Sequence, residues 1–155
     1  MNSKSILRIY VDMDDTLCKY SEAKNKALQA CPEMIYPQSQ HGFYMWLEMM
    51  EDAFTAMSYL MKSDKCEIWI ATAPSVNNPM SYTEKRCWVG RNLGEQFADR
   101  LIIIPDKSLL KGDILIDDLI AGRGQEDFEG EVWQFGSAEY PDWKSILNSL
   151  IKYKL

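Results

Sequence analysis

The sequence predicts an α/β fold: a three-layer, Rossmann-like parallel sheet with a small, mostly helical cap inserted after the first strand. Three observations lead there. Short apolar runs alternate with helix-compatible stretches, the pattern of parallel strands joined by crossover helices. Polar side chains, most of them carboxylates, mark the ends of those runs, where open α/β sheets bind ligands. About 50 residues separate the first two runs, far more than one crossover needs. The expected division is a core of residues 1–17 and 64–155, with residues 18–63 as the cap.

The elements follow in order. Residues 6–12 read as a buried strand, short, apolar and bounded by polar residues. It ends in Asp12, Asp14 and Asp15, three anions that repel one another unless protons or a cation offset them. Residues 16–30 are helix-compatible, and the stretch from Cys31 to Gly42, with two prolines, is irregular. Phe43, Trp46, Leu47, Met50, Phe54, Met57 and Leu60 recur at three- and four-residue steps, which predicts one long helix over 43–62. Residues 66–72 form the second strand and end in Thr72. Ser81 and Glu84 have the spacing of a capping box for a helix that stops at Gly94. Residues 101–104 and 113–116 are the third and fourth strands, with Lys107 in the loop between them and Asp117-Asp118 at the end of the fourth. Residues 131–135 are the fifth strand. A terminal helix over 140–153 carries Trp143, Ile146, Leu147, Leu150 and Ile151 on one face.

Composition narrows the function. Hydrophobic residues make up 46% of the 155, enough for a real core. A net charge of −6 disfavours nucleic-acid polymers and anionic membranes as partners. It leaves room for a small phosphorylated substrate held by a few local cations and a metal. No apolar segment approaches the ~18 residues of a membrane span, and the first five residues lack the apolar core of a signal peptide. The four cysteines form no C-x-x-C pair, and His41 is the one histidine, so the expectation is a cytoplasmic protein with free thiols. A homodimer is left open.

Asp12, Asp14, Thr72, Lys107, Asp117 and Asp118 converge on one sheet edge if the fold is right. Each has a use in phosphoryl transfer. A carboxylate can attack phosphorus. A neighbouring acid can move the proton. A lysine and a hard divalent cation such as Mg²⁺ can neutralise the transferring oxygens. Asp15 reads as a turn residue. Lys85 and Lys111 rival Lys107; Lys85 reads as a solvated helix-face residue, and Lys111 lies at the wrong end of a strand. Trp46 reads as core, the methionines over 45–61 as adaptable packing, and His41 as a loop residue.

Asp12-Met13-Asp14-Asp15-Thr16 resembles the D-x-D-x-T signature of the haloacid dehalogenase superfamily of phosphatases. Thr72, Lys107 and Asp117-Asp118 look like its second, third and fourth motifs. More narrowly, Thr72-Ala73-Pro74, Tyr82-Thr83-Glu84-Lys85, Asp106-Lys107-Ser108 and Arg123-Gly124-Gln125 resemble the 5′(3′)-deoxyribonucleotidases. The resemblance implies Asp12 as nucleophile and Mg²⁺ ligand, and Asp14 as general acid/base with its backbone carbonyl on the metal. It implies Asp118 as a further Mg²⁺ ligand, with Asp117 as its neighbouring support. Thr72 and Lys107 would bind phosphate. Tyr20 would stack on a nucleobase, with Phe43 or Tyr44 sharing that pocket. The chain departs from the family at Asp15, usually Gly, and at Ala73, often Ser. The function implied is Mg²⁺-dependent hydrolysis of (deoxy)ribonucleoside monophosphates through an aspartyl-phosphate. The alternatives are the same chemistry on a sugar phosphate, or a non-enzymatic domain that binds phosphate or Mg²⁺.

Overall fold

The structure, a computed structural model, describes residues 6–153. Five parallel strands make one sheet: β1 (Leu7–Val11), β2 (Cys66–Thr72), β3 (Leu101–Ile103), β4 (Ile114–Asp117) and β5 (Glu131–Gln134). Their order is β3-β2-β1-β4-β5. The chain steps outward from β1 in one direction, then restarts at β4 on its other side. The crevice between the carboxyl ends of β1 and β4 is therefore the topological switch point, where such sheets hold ligands. The register pairs Val11 with Ile116, so the next residues, Asp12 and Asp117, come out side by side.

Side-chain alternation divides the core. Ile9, Val11, Ile68, Ile70, Ile114 and Ile116 point to one face and are fully buried. That face packs with α2 (Ala53–Lys62), α3 (Ser81–Asn92), α4 (Glu95–Ala98) and α5 (Trp143–Lys152). Tyr10, Ala71 and Leu115 point the other way and are covered by Leu110 and Phe128 from the loops. This third layer is thin because only single 3₁₀ turns, Lys107–Leu109 and Gln125–Asp127, separate β3, β4 and β5. α5 begins with a capping box between Asp142 and Ser145, and its buried Trp143 donates from Nε1 to the Thr16 carbonyl at 3.0 Å. That bond ties the last helix to the loop after β1.

The segment between β1 and β2 differs most from the sequence pattern. α1 (Tyr20–Ala30) starts four residues later than expected, because residues 14–18 form a tight turn held by Asp15 N–H to the Cys18 carbonyl. The helix expected over 43–62 is broken. A 3₁₀ turn spans Tyr44–Trp46, and α2 starts only at Ala53. Between them the backbone bonds elsewhere: Lys19 N–H donates to the Glu48 carbonyl and Met50 N–H to the Leu17 carbonyl, each at 2.8 Å. Asp52, with φ +60°, redirects the chain into α2. Helical periodicity was present, but pairing with the loop after β1 outcompeted it. Trp46, expected in the core, is 69% exposed and lies under the Arg91 guanidinium, 3.9 Å from its ring centroid. Among the described residues no helix is long and apolar enough to cross a membrane.

Candidate active site

The site is assembled around two buried lysines. Lys107, in the 3₁₀ turn before β4, is almost wholly buried. Its ammonium donates to Asp12 Oδ1 at 2.7 Å and to Asp117 Oδ2 at 2.5 Å. Gln125 Nε2 donates to the same Asp117 carboxylate at 3.1 Å, and Leu119 N–H to its other oxygen at 3.0 Å. The Gly122–Gly124 turn closes over this arrangement. Lys107 N–H donates to the Arg123 carbonyl at 2.6 Å. Gly124 has φ +84°, and a Cβ there would collide with Asp106 and lie 2.7 Å from Ser108 N, so this close approach requires glycine.

Lys85, on α3, is fully buried and not a solvated helix residue. Its ammonium donates to Asp14 Oδ2 at 2.8 Å, Thr72 Oγ1 at 2.8 Å and the Ala73 carbonyl at 2.7 Å. It also lies 4.8 Å from the centroid of the Tyr44 ring. α3 buries Ser81, Glu84, Lys85, Trp88 and Val89, one helical stripe. Buried Trp88 and Val89 face the core, while Glu84 and Lys85 continue the same stripe under the site. The expected Ser81–Glu84 capping box does not form. Ser81 Oγ instead accepts from Ser75 N–H at 3.1 Å, and Glu84 reaches the segment between β1 and β2, accepting from Gly42 N–H at 2.7 Å and Tyr44 N–H at 3.2 Å.

A cavity of about 430 Å³ opens at the strand ends. Asp12, Asp14, Lys107, Asp117 and Asp118 line it at the strand ends, which form its floor; Tyr20, Tyr44, Ala73 to Asn77, Leu119 and Arg123 line its walls. The rings of Tyr20 and Tyr44 lie nearly parallel, 6.0 Å apart. Burial, then the nearby Asp14 carboxylate, raises both phenols above the ordinary range, so both stay neutral.

Electrostatics at the floor favour a cation. Asp12, Asp117 and Asp118 each offer one carboxylate oxygen, all within 4.8 Å of one another. Burial pushes the Asp12 carboxyl up to about 7; Lys107 opposes this, and Asp117 adds to it. Burial followed by the Asp12 charge pushes Asp118 up to about 7. Burial alone would lower the Lys107 ammonium, but Asp12 and Asp117 outweigh it and leave it raised. The Asp14 carbonyl accepts no hydrogen bond among the described residues. A crowded set of hard oxygen donors of this kind fits Mg²⁺.

The family described as 5′ nucleotidase, deoxy (pyrimidine), cytosolic type C matches residues 30–139. The chain belongs to this family. A Vibrio phage KVP40 protein assigned as a 5′(3′)-deoxyribonucleotidase is 33% identical over 150 residues, covering 92% of this chain and 83% of that protein. The human cytosolic-type 5′(3′)-deoxyribonucleotidase is 34% identical over 106 residues, covering 68% of this chain and 47% of that protein; the chain spans about half its length. A haloacid dehalogenase-type hydrolase of Bacillus subtilis, solved bound to magnesium, has the same fold, with a TM-score of 0.58 at 12% identity and 90% of each chain covered. The L-2-haloacid dehalogenase of Xanthobacter autotrophicus gives 0.52 at 12% identity, covering 97% of this chain and 84% of that chain. Membership in the deoxyribonucleotidase family makes the chain a phosphomonoesterase.

The structure brings Asp12, Asp14, Lys107 and Asp118 together on the cavity floor, and Tyr20 and Tyr44 to its wall. Thr72 lies behind that wall, fully buried, with its hydroxyl accepting from Lys85. Phe43 backs the tyrosines, edge-on to Tyr20 at 5.8 Å and to Tyr44 at 5.2 Å, and does not line the cavity. Asp15 is a turn residue at φ +54°. This left-handed conformation suits the glycine usual in the deoxyribonucleotidase family, and here the Asp15 carboxylate also accepts from Ser21 N–H at 2.8 Å. Sequence reasoning raised Lys85 only as a rival of Lys107, and missed Gln125 and the reach of Glu84. The available signal for Lys85 and Glu84 was their place on the helical stripe of Trp88 and Val89.

Proposed function

We propose that this member of the deoxyribonucleotidase family is a Mg²⁺-dependent phosphatase of deoxyribonucleoside monophosphates that works through an aspartyl-phosphate on Asp12. One observation carries the reading: a single cavity has the Asp12–Lys107 pair on its floor and a parallel pair of neutral tyrosines on its wall. The floor suits a phosphate, and the wall suits a flat base. The human relative's cytosolic type supports a cytoplasmic protein. Residues 18–63 are read as the inserted cap, with α2 its end that packs on the sheet.

The residues divide the work. Lys107 holds Asp12 Oδ1 and leaves the other oxygen to attack phosphorus. As the new P–O bond forms, the ester P–O bond breaks, and Asp14 gives its proton to the leaving alkoxide. Asp14 then takes a proton from water, which attacks the phosphorus, frees Asp12 and releases inorganic phosphate. Lys85 holds Asp14 by one oxygen during both proton transfers. It also donates to Thr72 Oγ1, and this fully buried hydroxyl anchors the ammonium behind the wall. Backbone N–H groups near Met13 and Ala73 would bind the phosphate; no side-chain hydroxyl assists at Ala73. Asp12, Asp118 and the Asp14 carbonyl would hold Mg²⁺, supported by Asp117. Bound there, Mg²⁺ supplies charge neutralisation for the transferring phosphoryl oxygens.

Phosphate release from deoxy- and ribonucleoside 5′- and 3′-monophosphates, set beside sugar phosphates and run with and without Mg²⁺, tests this. The expected result is Mg²⁺-dependent turnover with deoxyribonucleotides ahead. Equal turnover of sugar phosphates would overturn the nucleotide assignment.

A further inference from the structure

Glu84 presents an unusual expense for a protein core. Its side chain is buried, and among the described residues it forms no ion pair. A buried carboxylate is costly unless hydrogen bonds replace its water. Both of the bonds it accepts from outside its own helix come from the cap, from Gly42 N–H and Tyr44 N–H. These two bonds fix a turn in which Gly42 has φ +79° and an added Cβ would meet the Trp46 indole at 3.1 Å. The turn delivers Tyr44 to the cavity wall, parallel to Tyr20. The neighbouring residue on α3, Lys85, lies under the Tyr44 ring and holds Asp14. Two adjacent side chains of one helix thus grip the wall for the leaving group and the acid that protonates it.

We propose that Glu84 is a positioning residue that couples occupation of the tyrosine wall to proton transfer at Asp14, through Tyr44 and Lys85. A flat group packed on the wall restrains Tyr44. Tyr44 in turn restrains the lysine ammonium beneath it and the Asp14 carboxylate that the ammonium holds. Substrates with a base then gain in kcat as well as in KM, because part of their binding energy is used to order the acid. This rests on the nucleotide reading given above.

The test compares kcat for a deoxyribonucleoside monophosphate with kcat for 2-deoxyribose 5-phosphate, which has the same leaving sugar and no base. The wild-type ratio is expected to favour the nucleotide by about tenfold or more. Glu84→Gln preserves volume but offers one accepting oxygen to two N–H donors, and is expected to cut that ratio by about tenfold. Glu84→Asp retains the charge one methylene short and is expected to cut it by a smaller factor; it is the working arm should Glu84→Gln fail to fold. Thermal unfolding sets an assay temperature at which every variant is native. A general structural defect lowers both rates alike and leaves the ratio unmoved. A ratio equal to wild type in a folded variant overturns the inference while leaving the nucleotidase reading intact. A wild-type enzyme that turns over the sugar phosphate as fast as the nucleotide overturns both.

Discussion

Lys107 and Lys85 are the same residue type, buried to the same degree, and each is wedged between polar partners at the ends of parallel strands. They belong to differently built halves of the site. The Lys107 half uses strand ends: Asp12 follows β1, and Asp117-Asp118 closes β4, so the sheet register alone puts the carboxylates together. The Lys85 half uses a helix, a loop and a 3₁₀ turn from the cap. On the proposed function, the first half assembles the nucleophile and the cation site, and the second assembles the acid and the wall for the leaving group. The difference teaches that bond making and leaving-group departure are held by separate parts of the fold, and that substitutions should separate them.

Asp12→Asn should have the largest effect. Removing the attacking oxygen is expected to lower turnover by about 10⁴-fold or more, with an unchanged unfolding transition; phosphate release and circular dichroism measure the two. Lys107→Met should lower turnover by about 10³-fold, to the same extent for an alkyl phosphate as for an aryl phosphate such as p-nitrophenyl phosphate. It also strands Asp12 and Asp117, so denaturant unfolding without Mg²⁺ should show a loss of about 3–5 kcal/mol. Lys85→Met should cost about 10²-fold on alkyl phosphates. On p-nitrophenyl phosphate, whose leaving group needs no proton, the loss should be much smaller. Equal losses on both substrates would erase the division between the halves. Asp118→Asn should raise the Mg²⁺ concentration for half-maximal activity by about 10–100-fold, read from a Mg²⁺ titration after chelator treatment. The smallest effect belongs to Asp15→Gly. It relieves a left-handed residue and loses the Ser21 bonds, so stability should stay within about 1 kcal/mol of wild type by thermal unfolding.

The same division explains what could be read from the sequence. Asp12, Asp14, Thr72, Lys107 and Asp118 sit where apolar runs stop, and such runs are the strongest local signal in an α/β chain. The five strands were legible for that reason, to within a residue or two at their ends. Lys85 was not, because on a helix the meaning of a polar residue depends on which face is buried, and Glu84, Lys85 and Arg86 look alike in one dimension. The broken helix over 43–62 was illegible for a different reason. Its periodicity is genuine, but Glu48 and Met50 spend their backbone bonds on Lys19 and Leu17, a long-range choice that no local pattern records. The thin layer over Tyr10 and Leu115 was not legible, because alternating runs lead one to expect helices on both faces, while the connections after β3 and β4 carry only single 3₁₀ turns.

The pairing of β1 with β4 has a consequence for when activity arises during folding. Asp12 meets Lys107 across 95 residues of chain, and this pair cannot form before that loop has closed, whereas Lys85 reaches Asp14 across 71. β1 and β2 can pair earlier, using contacts 59 residues apart in sequence. Ordering of long-range contacts is slow because loop closure comes before any reward. Regained phosphatase activity should therefore trail regained helix content in a refolding experiment. A chain interrupted before β4 would keep both lysines but lose the register of Ile116 against Val11 that sets Asp117 and Asp118 beside Asp12. The Asp12–Lys107 pair is thus a late product of folding, completed only when β4 comes to lie beside β1.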